Sequence, residues 1–149
     1  MKSAESWFEE YGESHENALN KAIHWICVPS IMVSLLGMIG YIPEPVPGVS
    51  LPLIVMACAV IYYFILSPAL GVGMLLVSVL FLGTLHHLAN AGAPILWISV
   101  GVFVIAWVGQ FIGHKIEGKK PSFFKDLQFL LIGPVWLLSA VYKKAGIRY

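Results

Sequence analysis

Apolar residues fall in long uninterrupted runs at Ala22 to Ile42, Leu51 to Leu66, Ala69 to Leu88 and Pro94 to Gly113, with a weaker run from Phe123 to Tyr142. A bilayer crossing needs roughly 20 such residues. Turn chemistry divides the runs: Pro43, Pro45, Pro47 and Gly48 end the first, Ser67-Pro68 the second, and Asn90 to Pro94 the third. Backbone in lipid must satisfy its own hydrogen bonds, so the runs predict helices rather than open strands. The expected fold class is all-α, a polytopic membrane helical bundle of about four transmembrane helices plus a C-terminal interfacial or re-entrant helix. Ser14, Asn17 and the helical pattern after them predict a polar lead-in helix that runs straight into the first span, which Pro29 should kink. Gly133-Pro134 interrupts the last run and argues against a fifth crossing there. The 149 residues thus read as one membrane domain: lead-in over 1–21, four-span bundle over 22–113, basic loop and C-terminal helix over 114–149.

Composition sharpens this picture. The chain is 58% hydrophobic and 11% charged, with a mean hydropathy of +0.82, whereas soluble domains are about a quarter charged. An ordinary soluble domain is excluded. Between Ala22 and His114 the only formally charged residue is Glu44. Lys2 and Lys21 precede the first span, and Lys115, Lys119, Lys120 and Lys125 follow the fourth, so an even number of crossings puts both groups on the cytoplasmic side. Lys143, Lys144 and Arg148 keep the C-terminal segment on that side too. The acidic first 21 residues lack the basic start and apolar stretch of a cleavable signal and are expected to be retained. Net charge is +1, and no Lys/Arg stripe with interleaved aromatics offers a nucleic-acid surface. Cys27 and Cys58 lie in apolar runs without paired spacing, which predicts buried small hydrophobes rather than a disulfide or thiolate site.

The chemistry available is that of histidine. His15, His24, His86, His87 and His114 gather at the ends of the apolar runs, where polar groups are costly and mark function by default. At 100° per residue, Asn20 and His24 share a helix face, and Gln110, His114 and Glu117 form a second stripe that Trp107 extends. Imidazole with carboxylate suits non-heme Fe(II), leaving positions open for oxygen and substrate. Four crossings put His15, His24 and His114 at the cytoplasmic face and His86 and His87 about a hydrocarbon thickness away, so all five cannot share one mononuclear site. His86 with Asn90 could form a patch of its own. Plainer readings stand beside these. An interfacial histidine is often only solvated. Glu117 beside Lys119 and Lys120 could be a surface ion pair worth under ~1 kcal/mol. Trp97, Trp107 and Trp136 could be interface or packing aromatics, and Asn20 and Gln110 interhelical hydrogen-bonding residues.

Two stretches carry a family pattern. Tyr11-(x3)-His15-(x4)-Asn20-(x3)-His24-(x4)-Pro29, and Trp107-(x2)-Gln110-Phe111-Ile112-Gly113-His114-(x2)-Glu117-(x3)-Pro121 with the later Pro134, resemble the membrane 2-hydroxy fatty acid dioxygenase family of alpha-oxidation. The resemblance extends over nearly the whole chain. It implies an Fe(II)-dependent enzyme that uses molecular oxygen to remove one carbon from a 2-hydroxy fatty acid in a lipid membrane. Carried over by position, it makes His15, His24 and His114 metal-ligand candidates, and Glu117, Gln110 and Asn20 candidates for a further ligand or for supporting catalytic groups. His86 and His87 fall outside the pattern. A eukaryotic member would sit in the endoplasmic reticulum membrane, a bacterial one in the cytoplasmic membrane. Lys21, Lys119 or Lys120 could steer the substrate carboxylate. Two competing classes remain: a b-type heme protein with histidines on facing helices, and a scaffold or small transporter that uses the polar stripe for packing alone. Against an eight-histidine diiron lipid hydroxylase stands the lack of further histidine clusters beside His86-His87.

Overall fold

The computed structural model describes residues 2–118 and 129–149. Among the described residues the chain is helical: α1 (Ala4–Gly12), α2 (Ala18–Ile39), α3 (Leu51–Leu66), α4 (Pro68–Asn90), α5 (Ile95–Glu117) and α6 (Ile132–Ala145). Helices α2, α4 and α5 are 22, 23 and 23 residues long and apolar enough to cross a membrane, whereas α3 has 16 residues. At 1.5 Å per residue α3 reaches about 24 Å, short of the ~30 Å hydrocarbon layer. The bundle therefore has three helices long enough to span a membrane and one shorter apolar helix, roughly consistent with the four transmembrane helices expected.

Two local expectations are corrected. The lead-in helix does not run into the first span, because α1 stops at Gly12 and α2 starts afresh at Ala18. Asn17 starts the new helix, its side-chain oxygen accepting the N–H groups of Leu19 at 2.9 Å and Asn20 at 3.4 Å. Cys58, expected to be buried, faces outward; Cys27 is buried, and both are free thiols. Helix α2 continues unbroken through Pro29.

α2 packs most extensively against α5, and α3 against α4. The α2–α5 pair is close because small residues line it: a Cβ on Gly37 would fall 2.1 Å from Ser99 Oγ, and one on Gly109 2.6 Å from Cys27 Sγ. Small side chains let membrane helices approach where no hydrophobic force drives them together. Ser67 alone links α3 to α4, in extended conformation, and Pro68 opens α4 where no N–H is needed. Gly40, Ser50, Ala89 and Ile95 border one cleft, so α2, α3, α4 and α5 alternate in direction. Ile26 and Ile105 are 72% and 73% exposed. Such outward apolar faces suit lipid.

The other end of the bundle carries α1 and α6. Ala4, Phe8 and Tyr11, at i, i+4 and i+7, are the buried stripe of α1, which packs on α6. Tyr63 Oη donates to the Leu131 carbonyl at 2.7 Å, and Tyr142 Oη to that of Ala69 at 2.9 Å. These bonds fasten α6 across α3 and α4. Pro134 is the third residue of α6, in the first turn, where a missing N–H breaks no helical bond. It starts the helix rather than interrupting it; residues 119–128, with most of the expected basic loop, lie outside the described residues.

Candidate functional site

Three of the five histidines meet. His15, His24 and His114 come from the α1–α2 turn, the second turn of α2 and the last turn of α5. All three are buried, at 3%, 1% and 6% exposure. Their ring centroids are 4.2 Å apart for His15 and His24, 5.2 Å for His24 and His114, and 6.0 Å for His15 and His114, with edge-to-face orientations throughout.

Backbone carbonyls fix the tautomer of two of these rings. His15 Nδ1 lies 2.6 Å from the Tyr11 carbonyl oxygen, and His24 Nδ1 2.9 Å from that of Asn20. A carbonyl only accepts, so each Nδ1 carries a proton and donates it, which leaves Nε2 as the ring nitrogen able to bind a metal. That is how metal-binding histidines are commonly held. Tyr11 also stacks on the His15 ring at 4.2 Å and 10°. Trp136 of α6 stands 5.5 Å from His15 and 5.2 Å from Tyr11, and Phe129 closes on Tyr11 at 5.3 Å. The turn bearing His15 is thus walled by aromatic rings.

Glu117 and Asn20 tie that turn to α5. One Glu117 carboxylate oxygen accepts the Glu16 N–H at 2.8 Å and the Asn17 N–H at 3.1 Å. The other accepts from the Asn20 side-chain amide at 2.8 Å, and that amide also donates to the Ser14 carbonyl at 3.1 Å. The bonds flank His15 on both sides in sequence. Gly113 completes the seat, because a Cβ there would fall 2.4 Å from Asn20 Oδ1 and 3.2 Å from His24 Cε1. Gln110 is buried at 8% exposure, and among the described residues its Oε1 has no hydrogen-bond partner.

Sequence reasoning grouped His15, His24, His114, Asn20, Gln110 and Glu117, and the structure brings the histidines, Asn20 and Glu117 into contact while burying Gln110 one turn below His114. Trp136 and Phe129 were missed as neighbours of the site; helix-face arithmetic cannot reach across elements. Trp107 packs with the Cys27–Ile31–Ala106 cluster, and Trp97 is 74% exposed. His86 stays apart. It lies at the opposite end of the bundle, 2.9 Å from Asn90 Nδ2, in the cleft that Gly40 borders. From His24 to Gly40 is sixteen residues of α2, about 24 Å along the axis.

The donor chemistry fits a metal ion. Three imidazoles around one ion at nitrogen–metal distances of about 2.1 Å must hold their rings within a few ångströms of one another, as these rings are. Among the described residues no group of three His, Cys, Asp or Glu is arranged to hold an ion; the three imidazoles pack edge to face.

Buried imidazoles at one mouth of an apolar helical bundle define a membrane protein with an internal histidine site. The chain belongs to the family described as 2-hydroxy-palmitic acid dioxygenase Mpo1-like, whose model matches residues 1–145. Among curated proteins it is similar to the 2-hydroxy-palmitic acid dioxygenase MPO1 of Saccharomyces cerevisiae (strain ATCC 204508 / S288c), at 29% identity over 136 residues, covering 89% of this chain and 75% of the yeast protein. No solved structure matches.

Proposed function

We propose that this chain is an Fe(II)-dependent dioxygenase that shortens 2-hydroxy fatty acids by one carbon within a membrane. The observation that carries the reading is the clustering of His15, His24 and His114, from three separate segments, as buried rings at one end of the bundle. Family membership, and the substrate named for the yeast relative, agree with it. One 2-hydroxy acid and one O2 balance as the acid one carbon shorter, CO2 and water.

His15 and His24, their Nδ1 protons committed to backbone carbonyls, would hold the metal through Nε2, with His114 as the third ligand. When bound, Fe(II) supplies electrons and open positions for dioxygen and for a bidentate substrate. The remaining work falls to the chain itself. Glu117, its oxygens engaged by Glu16, Asn17 and Asn20, acts as a positioning residue for the His15 turn rather than as a ligand. Gln110 offers a buried acceptor to the substrate's 2-hydroxyl proton, since an orphaned buried carbonyl oxygen is costly until something donates to it. Tyr11, Phe129 and Trp136 keep water from His15.

A b-type heme protein would need a macrocycle between two axial imidazoles. His24 instead packs edge to face on both His15 and His114, which favours the mononuclear reading. Purified protein given Fe(II), oxygen and 2-hydroxypalmitic acid should yield the acid one carbon shorter, mole for mole with oxygen consumed, by mass spectrometry and oxygen electrode. Unchanged turnover after rigorous chelation of metal would refute the iron mechanism.

A further inference from the structure

A 2-hydroxy fatty acid has two unlike ends, and the histidine pocket accounts for only the polar one. We propose that its alkyl chain lies in the groove between α2 and α5, and that Ser30 and Val102 at the deep end of this groove limit chain length. The inference rests on the dioxygenase reading above and adds the part of the site that selects among substrates.

The groove is an open hollow of about 380 Å³ on the outward face of the helix pair, where Ile26 and Ile105 are exposed. Its end nearest the histidines is formed by Ile23 and Ile112, which precede His24 and Gly113 in sequence, so the groove begins at the level of the helix turns that carry His24 and His114. Cys27 and Gly109 make its floor. At Gly109 the two helices pack tightly beneath the groove, since a Cβ there would meet Cys27 Sγ at 2.6 Å. Ser30 is the one hydroxyl in the lining, and it is already spent on the Ile26 carbonyl at 2.7 Å, so it presents no unmet polar group to a hydrocarbon. From Ile112 to Val102 the groove follows ten residues of α5, about 15 Å toward the membrane interior.

Two other hollows are less well placed. A groove of about 250 Å³ runs between α2, α4 and α6 past Trp25, Phe81 and Leu138; of its three helices only α2 carries one of the clustered histidines. The cleft beside His86 lies at the opposite end of the bundle. The α2–α5 groove lies between the two helices that carry His24 and His114, on the same half of the bundle as those histidines. Lipid is as apolar as the groove, so an alkyl chain gains little affinity by entering it. What it gains is direction: the chain stays in hydrocarbon while its carboxyl end is delivered to the imidazoles.

A 2-hydroxy acid with a diazirine at its terminal carbon, photolysed on the detergent-purified full chain, reports the position of that carbon without needing iron or turnover. Cross-links at Ser30, Val102 or Ile105 that unlabelled 2-hydroxy acid suppresses are expected. Cross-links at Trp25, Phe81 or Leu138, or labelling that the unlabelled acid does not suppress, would overturn the proposal. In turnover, Val102→Trp should lower kcat/KM for sixteen-carbon relative to eight-carbon 2-hydroxy acids by about tenfold, the scale at which apolar pockets discriminate. Ser30→Leu should act in the same direction and serves if the larger substitution prevents folding. An active variant with an unchanged chain-length profile removes the groove and leaves the dioxygenase reading standing. Wild-type protein inactive on every 2-hydroxy acid removes that reading, while the cross-links still decide where the chain lies.

Discussion

A carboxylate at the end of a membrane helix is costly unless its oxygens are occupied, and Glu117 meets that need with the Glu16 and Asn17 N–H groups and the Asn20 amide. Those partners lie 101, 100 and 97 residues away, so one side chain closes about two thirds of the 149-residue chain onto the turn that presents His15. Glu117→Ala should therefore loosen residues 13–17 without touching an imidazole. Hydrogen bonds to a charged group contribute about 1.5–3 kcal/mol, so amide exchange at Glu16 and Asn17 should speed up by about tenfold or more. Turnover should fall with it. Exchange and turnover both unchanged would mean that Glu117 is only a surface charge. A carboxylate in line with His114 and Gln110 suggested a ligand from sequence alone, because helix-face arithmetic shows which residues are neighbours on α5 but not which way the α1–α2 turn folds over them.

Among the elements, α2 and α5 matter most, since together they bring His24, Asn20, Gln110 and His114 to one place. Their separation is set by small residues. Gly109→Ala would drive a Cβ to within 2.6 Å of Cys27 Sγ, a fit that a well-packed core relieves only at a cost of about 1–3 kcal/mol. Cys27→Ala removes the atom in the way. In a double-mutant cycle read by thermal unfolding, the pair should be less destabilised than the two single variants summed, by about 0.5–3 kcal/mol. Simple additivity would show that the helices do not meet at this point. The elements themselves were largely legible. Periodicity and turn residues give α3 at Leu51–Leu66, and α4 and α5 to within a few residues. The break before α2 was not, because Ser14 and Asn17 are both plausible caps and the choice is made by Glu117 from across the molecule. Pro134 does mark a break in the last apolar run, since the helix there begins only at Ile132, with the proline in its first turn.

At the scale of the whole molecule, alternating helix directions separate a three-histidine end from the His86 end. That division was legible from span counting alone, since lysine placement and run lengths already put His15, His24 and His114 together. The aromatic wall of Phe129 and Trp136 was not, because it depends on how α6 folds back, and the Tyr63 and Tyr142 bonds that hold it have no sequence signature. In a Cys27→Ala, Cys58→Ala background, single cysteines at Ser3 and Asn90 should react with a membrane-impermeant maleimide from opposite faces of sealed vesicles. Labelling of both from one face would contradict the bundle's direction. The central claim, that the three clustered histidines hold the iron on which turnover depends, is tested most directly by anaerobic Fe(II) titration of wild-type, His114→Ala and His86→Ala proteins. The expected result is about one tightly held iron per chain in wild type and His86→Ala, and loss of that iron in His114→Ala. Undiminished iron binding by His114→Ala would contradict it.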